Sequence, residues 1–206
     1  KTRAAVQNIL DDIEKRKEEA IKELNKKFDK YEGEIIVSKE KIEEAIKKVD
    51  QKTKDDVQFA YERVRKFAEH QLKSMNNNFE VELSKGLFAG QRLIPVETAG
   101  CYIPGGRYAH ISSAVMAITP AKVAGVEKII CASPPKGNDG ANAGIIYAAN
   151  LCGANTIMNL GGVAAIGALT HGLFGNPPVD FLVGAGNQYV AEAKRIVYGK
   201  VGIDQF

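Results

Sequence analysis

The stretch Ala99-Gly100-Cys101-Tyr102-Ile103-Pro104-Gly105-Gly106-Arg107 decides the fold. A short apolar run over residues 100–103 ends in a Pro-Gly-Gly turn, and a helix-compatible segment follows near residues 112–124. An α/β layer presents a nucleotide site in this order. Glycine lets the backbone approach a phosphate, and the next helix offers N–H groups that no intrahelical carbonyl satisfies. The same order recurs three times. Residues 128–132 lead through the loop 133–140 to a helix over 141–152, and residues 156–159 lead through Gly161-Gly162 to a helix over 163–173. Residues 179–183 lead through Gly184-Ala185-Gly186 to a helix over 187–198. Strands alternating with helices at this spacing predict right-handed crossovers and a parallel sheet buried on both faces.

Composition sets this region apart from what precedes it. Residues 1–98 hold 21 Lys/Arg and 20 Asp/Glu, whereas residues 99–206 hold 7 and 5; glycine reverses the pattern, with 3 and 17. The fold class read here is therefore α/β, with a helical arm and hairpin over residues 1–98 and a Rossmann-like parallel-sheet domain over residues 99–206. A net charge of +3 and balanced signs argue against nucleic acid as a partner. No apolar run reaches the roughly 18 residues of a membrane span, so no membrane partner is expected. No leader is read in the sequence, which opens on Lys1. Cys101, Cys131 and Cys152 lie in apolar surroundings without paired-thiolate spacing, which predicts buried free thiols and a reducing, cytoplasmic location.

In the arm, Val6, Ile9, Leu10, Ile13, Ala20, Ile21, Leu24 and Phe28 recur at helical spacing and predict one helix over about residues 4–28. Ser38 is placed to cap a second helix. A third, over about residues 53–72, carries Val57, Ala60, Tyr61, Val64, Phe67, Ala68 and Leu72 along one stripe. Residues 79–96 read as a hairpin turning at Lys85-Gly86.

The last glycine loop, Gly184-Ala185-Gly186-Asn187-Gln188-Tyr189, falls short of the dinucleotide fingerprint because Tyr189 stands where the third glycine belongs. The acid that should hold the ribose about twenty residues on is also wanting, since Asp204 is expected to begin a loop rather than end a strand. A Rossmann-like domain with a different cofactor grip remains.

Several motifs resemble the histidinol dehydrogenase family. They are Gly100-Cys101-Tyr102-Ile103-Pro104-Gly105-Gly106, Pro120-Ala121-Lys122-Val123-Ala124-Gly125-Val126, Ser133-Pro134-Pro135, Tyr147-Ala148-Ala149-Asn150-Leu151-Cys152-Gly153, Asn159-Leu160-Gly161-Gly162, Gly184-Ala185-Gly186-Asn187, Ala193-Lys194-Arg195 and Lys200-Val201-Gly202-Ile203-Asp204. The resemblance implies a zinc-dependent homodimer that oxidises L-histidinol to L-histidine through the aldehyde with NAD. It implies that Tyr102 and Asn187 contact NAD, beside the backbone of Gly105 and Gly106. Read without it, Tyr102 is equally a core aromatic and Asn187 a helix cap. The family's proton-handling Glu-His pair and zinc ligands correspond to positions past Phe206. No catalytic or metal residue is therefore assigned here, and the 206-residue chain alone is expected to be inactive. His110 and His171 lack an acidic partner at ligand spacing, and His171 reads as a cation at a helix C-terminus.

Two departures from the family pattern bear on function. Ala164 stands where the family usually has Gln, which removes one polar cofactor contact. The segment Gly106-Arg107-Tyr108-Ala109-His110 looks more like relatives that oxidise other small alcohols, such as sulfopropanediol dehydrogenases, and Arg107 would suit a sulfonate or carboxylate. A non-catalytic nucleotide-binding or assembly module is the alternative of a different class.

Overall fold

The computed structural model describes residues 1–75, 78–105 and 109–205. The first half forms helices, but in more pieces than its periodicity predicts. Helix α1 (Thr2–Arg16) and helix α2 (Glu18–Leu24) are separated at Lys17, whose φ is 54°, and a π-helical turn, Asn25–Asp29, follows. The continuous helix expected over residues 4–28 is thus three segments. In a straight helix Lys17, four residues after Ile13 and three before Ala20, would fall on the buried stripe. The break leaves Lys17 exposed while Ile13, Ala20 and Ile21 stay fully buried. Holding each buried isoleucine away from water stabilises the fold by about 1.5–3 kcal/mol.

Helix α3 (Lys39–Lys48) begins at the expected cap, with Ser38 Oγ accepting a hydrogen bond from the Lys41 N–H at 3.3 Å. Helix α4 (Gln51–Ser74) starts earlier than predicted, because Asp50 caps it by accepting from the Thr53 N–H at 2.9 Å. Val57 and Ala68 of its stripe are buried, but Phe67 is 67% exposed. Strands β1 (Phe79–Ser84) and β2 (Leu87–Gln91) pair antiparallel and turn at Gly86, whose φ of +80° suits glycine. The paired strands stop short of residue 96.

The second half alternates as predicted. Its elements are β3 (Thr98–Tyr102), α5 (Ile111–Val123), β4 (Lys128–Ser133), α6 (Ala143–Cys152), β5 (Thr156–Asn159), α7 (Gly162–His171), β6 (Phe181–Val183), α8 (Gln188–Val197) and β7 (Gly202–Ile203). Every pair in the five-stranded sheet is parallel, in the order β5-β4-β3-β6-β7. β7 was not expected, and it corrects the reading of Asp204: that residue follows a strand. The chain builds one side of the sheet from β3 to β5, then returns to place β6 on the other side of β3. The strand order reverses between β3 and β6, where ligands of open α/β sheets collect.

Successive strand residues alternate between two cores. Tyr102, Ile130, Ala132 and Leu182 pack with α1, α2, α7 and α8, whereas Cys101, Ile103, Ile129 and Cys131 pack with α5, α6 and residues of α3 and α4. The arm therefore covers both faces. It also lines the edge of β5: the Val37 N–H donates to the Ile157 carbonyl at 2.9 Å, and the Asn159 N–H donates to the Ile35 carbonyl at 2.7 Å. The sequence reading missed this short antiparallel edge. All three cysteines are buried free thiols, and burial, with Asp204 nearby, pushes Cys101 up to about 12.

Candidate functional site

A cavity of about 860 Å³ opens at the carboxyl ends of the strands, and residues that follow β3, β4, β5 and β6 all line it. Its volume is in the range of small-molecule and cofactor sites. Tyr102, Gly105, Ala164 and Asn187, singled out from sequence, meet on its wall with Gly161, Gly162 and Gly186. The arm adds Ala5, Ile9, Leu24, Phe28 and Asp29. Gly106 and Arg107 lie outside the described residues.

Tyr102 is 5% exposed, and its hydroxyl oxygen accepts a hydrogen bond from the Gly162 N–H at 3.3 Å. Burial raises its ionisation above the ordinary phenol value, outweighing the lowering by the Gly162 N–H, and Asp29 raises it further. Tyr102 is thus held neutral and keeps a proton to donate. It is both a core aromatic and a cavity residue. Tyr102→Phe is expected to cost about 1 kcal/mol of stability, the contribution of one ordinary hydrogen bond. A shift of the urea midpoint at unchanged slope measures it.

Asn187 also joins two roles. Its Oδ1 accepts from the backbone N–H groups of Tyr189 at 3.0 Å and Val190 at 3.2 Å, which caps α8. Its Nδ2 donates to no described residue, so a cavity-lining residue retains a donor. Gly162 has φ +56°, and a Cβ there would meet nothing within 4 Å, so open space lies directly above this backbone. At Gly105 a Cβ would come within 2.9 Å of Ser133 Oγ and 3.0 Å of Ile145 Cδ1. Glycine here allows the turn to pack against β4 and α6 while its other side faces the cavity.

Two groups that the sequence reading left without a role shape the last glycine loop. The Gly184 N–H donates to Asp204 Oδ2 at 2.8 Å, and Lys194 Nζ donates to the Gly184 carbonyl at 2.8 Å and pairs with Asp204 Oδ1. Lys194 is 3% exposed. Burial pulls the Asp204 carboxyl up, but the Gly184 N–H, the Lys194 ammonium and the Gln205 N–H together hold it below its ordinary value. Asp204 thus stands at the end of a strand, twenty residues after Gly184. Both its oxygens are nevertheless engaged, so it clamps the loop rather than meeting a ligand. Its spacing in the sequence was the only signal of this.

His110 lines the cavity beside the start of α5. His171 ends α7, but burial, Lys200 and Lys17 favour its neutral form, against the expectation of a helix-terminal cation. No group of three or more His, Cys, Asp or Glu among the described residues is placed to hold a metal ion. No described helix is long and apolar enough to cross a membrane.

Comparison with known proteins agrees with this fold. The family model for histidinol dehydrogenase matches residues 1–206. The chain is 68% identical over 206 residues to a histidinol dehydrogenase homolog of Pelagibacter ubique, covering all of this chain and 48% of that protein. It is 51% identical over 199 residues to sulfopropanediol 3-dehydrogenase of Ruegeria pomeroyi, covering 97% of this chain and 46% of that protein. The crystal structure of histidinol dehydrogenase from Elizabethkingia anophelis superposes with a TM-score of 0.92 at 34% identity, covering 100% of this chain and 47% of that one. The chain spans about half the length of the curated relatives it matches.

Proposed function

Because this chain belongs to the histidinol dehydrogenase family, we propose that it forms the cofactor-binding part of an NAD-dependent dehydrogenase acting on a small alcohol. In this reading residues 99–206 are the cofactor-binding domain and residues 1–98 an arm that completes its walls. The whole protein is read as a cytoplasmic homodimer that oxidises L-histidinol to L-histidine. The observation that carries the reading is the cavity at the β3–β6 switch point, where Tyr102, Gly105 and Asn187 converge.

The residues suit a dinucleotide. Open space above Gly162 leaves room for a ligand against bare backbone, and the glycines at 105, 161 and 186 let their loops pack closely on Ser133, Pro134 and Val190 beside it. Tyr102 Oη and Asn187 Nδ2 are the side-chain donors assigned to hold the cofactor. NAD, when bound, supplies the hydride acceptor for alcohol oxidation. The apolar wall of Ile9, Leu24, Phe28 and Val163 excludes water from the bound face. Zinc belongs to the reading through the family, but the described residues offer it no ligand set, and no step is assigned to it here.

Ala164 lines the cavity where the family usually carries Gln. Ala164→Gln is expected to tighten NAD binding about 3- to 10-fold, the effect of one added hydrogen bond. Calorimetric titration of NAD against both proteins checks it.

A second reading concerns the substrate. The 51% identity to sulfopropanediol 3-dehydrogenase exceeds the 44% identity to histidinol dehydrogenase of Methanococcus maripaludis, which supports a sulfonated diol as the alternative. NADH formation by the full gene product decides between them, with L-histidinol and 2,3-dihydroxypropane-1-sulfonate supplied separately. Turnover of histidinol alone supports the first reading. Turnover of the sulfonate alone supports the second and removes the first. Turnover of neither, with zinc supplied, overturns both.

A further inference from the structure

A dinucleotide presents vicinal ribose hydroxyls as well as phosphates, and Rossmann-type sites usually meet them with an acid at a strand end. Asp204 has that position, but its oxygens are engaged by the Gly184 N–H, Lys194 and the Gln205 N–H. Among the described residues that line the cavity, Asp29 is the only carboxylate.

Asp29 closes the π-helical turn Asn25–Asp29, a rare geometry found disproportionately at functional sites. The turn directs Phe28 and Asp29 to the cavity while Asn25, on the same turn, is buried and donates to the Asn159 carbonyl at 3.2 Å. Asp29 Oδ2 lies 3.2 Å from where a Cβ of Gly161 would stand, beside the start of α7. Its carboxylate makes no hydrogen bond or ion pair with a described residue. Burial alone raises its carboxyl above the ordinary value, so it is a desolvated acceptor whose needs the fold does not meet.

We infer that Asp29 is a specificity-determining residue, accepting hydrogen bonds from a ribose diol of the cofactor and excluding a dinucleotide phosphorylated on that ribose. Hydroxyls donate to a carboxylate. A phosphate in the same place sets like charges together at a half-buried carboxylate, which is unfavourable. The inference rests on the NAD reading above.

The test titrates NAD and NADP into the full gene product, as wild type, Asp29→Asn and Asp29→Ser, with thermal unfolding as a check on folding. Wild type is expected to prefer NAD by at least about tenfold. Both variants should lose most of that preference, mainly by gaining affinity for NADP, with unfolding temperatures close to wild type. A purely structural role for Asp29 would weaken both ligands alike and leave the ratio unchanged. An unchanged ratio in both variants, or a wild type that prefers NADP, overturns the inference while leaving a dinucleotide site in place. A wild type that binds neither overturns the cofactor reading and this inference together.

Discussion

Gly184→Ala is expected to cost at least about 3 kcal/mol, enough to threaten folding of a typical domain. Gly184 has φ +125°, which a residue with a Cβ adopts only under strain. An added Cβ would collide with the Tyr102 carbonyl oxygen, a backbone atom at the end of β3. That atom has little room to yield. β3 pairs with β6 through Cys101 opposite Val183, one residue before the collision, so relief would open the sheet where its order reverses. Denaturant unfolding reads the loss directly. Substitution at Gly162 supplies the contrast, because its Cβ would point into open space. Gly162→Asn should stay folded, since Asn tolerates positive φ, and should weaken NAD binding instead.

Asp204→Ala is expected to cost about 3 kcal/mol, since it leaves the Lys194 ammonium buried without its counter-charge. The Gly184 N–H loses its acceptor at the same time. Asp204→Asn should be milder at the loop, because its side-chain oxygen can still accept from Gly184. The pH dependence has a definite sign. The folded-state pKa of Asp204 lies below its ordinary value, so its contribution is present above the unfolded value of about 3.9 and is lost as pH falls through the folded one. Wild type should lose stability progressively below about pH 4, and Asp204→Ala should lack that part of the decline. Urea midpoints across pH 2.5–7 test this; equal acid sensitivity in both proteins would contradict it.

The second half was legible because each unit repeats one physical pattern: an apolar strand, a small-residue turn and a helix. Its element boundaries fell within about two residues of those observed. Tyr102, Gly105 and Asn187 were singled out through the family resemblance, and the parallel sheet brings them to one cavity because residues at the carboxyl ends of its strands meet there. The arm was less legible. Its periodicity continues through Lys17 and Asn25, and the helix breaks only where α1 and α2 pack on α7 and α8. Gly167 contributes to that packing: a Cβ there would stand 2.7 Å from Ile13 Cδ1, so glycine lets α1 lie close. The edge segment at residues 35–37 and strand β7 are too short to give a period. Asp29 carried no signal of its own and Lys194 none of its role beyond its place in a family motif, because a charged residue on an amphipathic helix reads as solvent-facing until the tertiary fold turns it inward.

Amide hydrogen exchange of the full gene product, with and without saturating NAD, tests the central claim most directly. The account predicts slowed exchange confined to the cavity wall, at residues 161–164 and 185–189 and at the π-helical turn 25–29, with the exposed hairpin unchanged. NAD that binds without protecting these segments, or that protects a different surface, would contradict it.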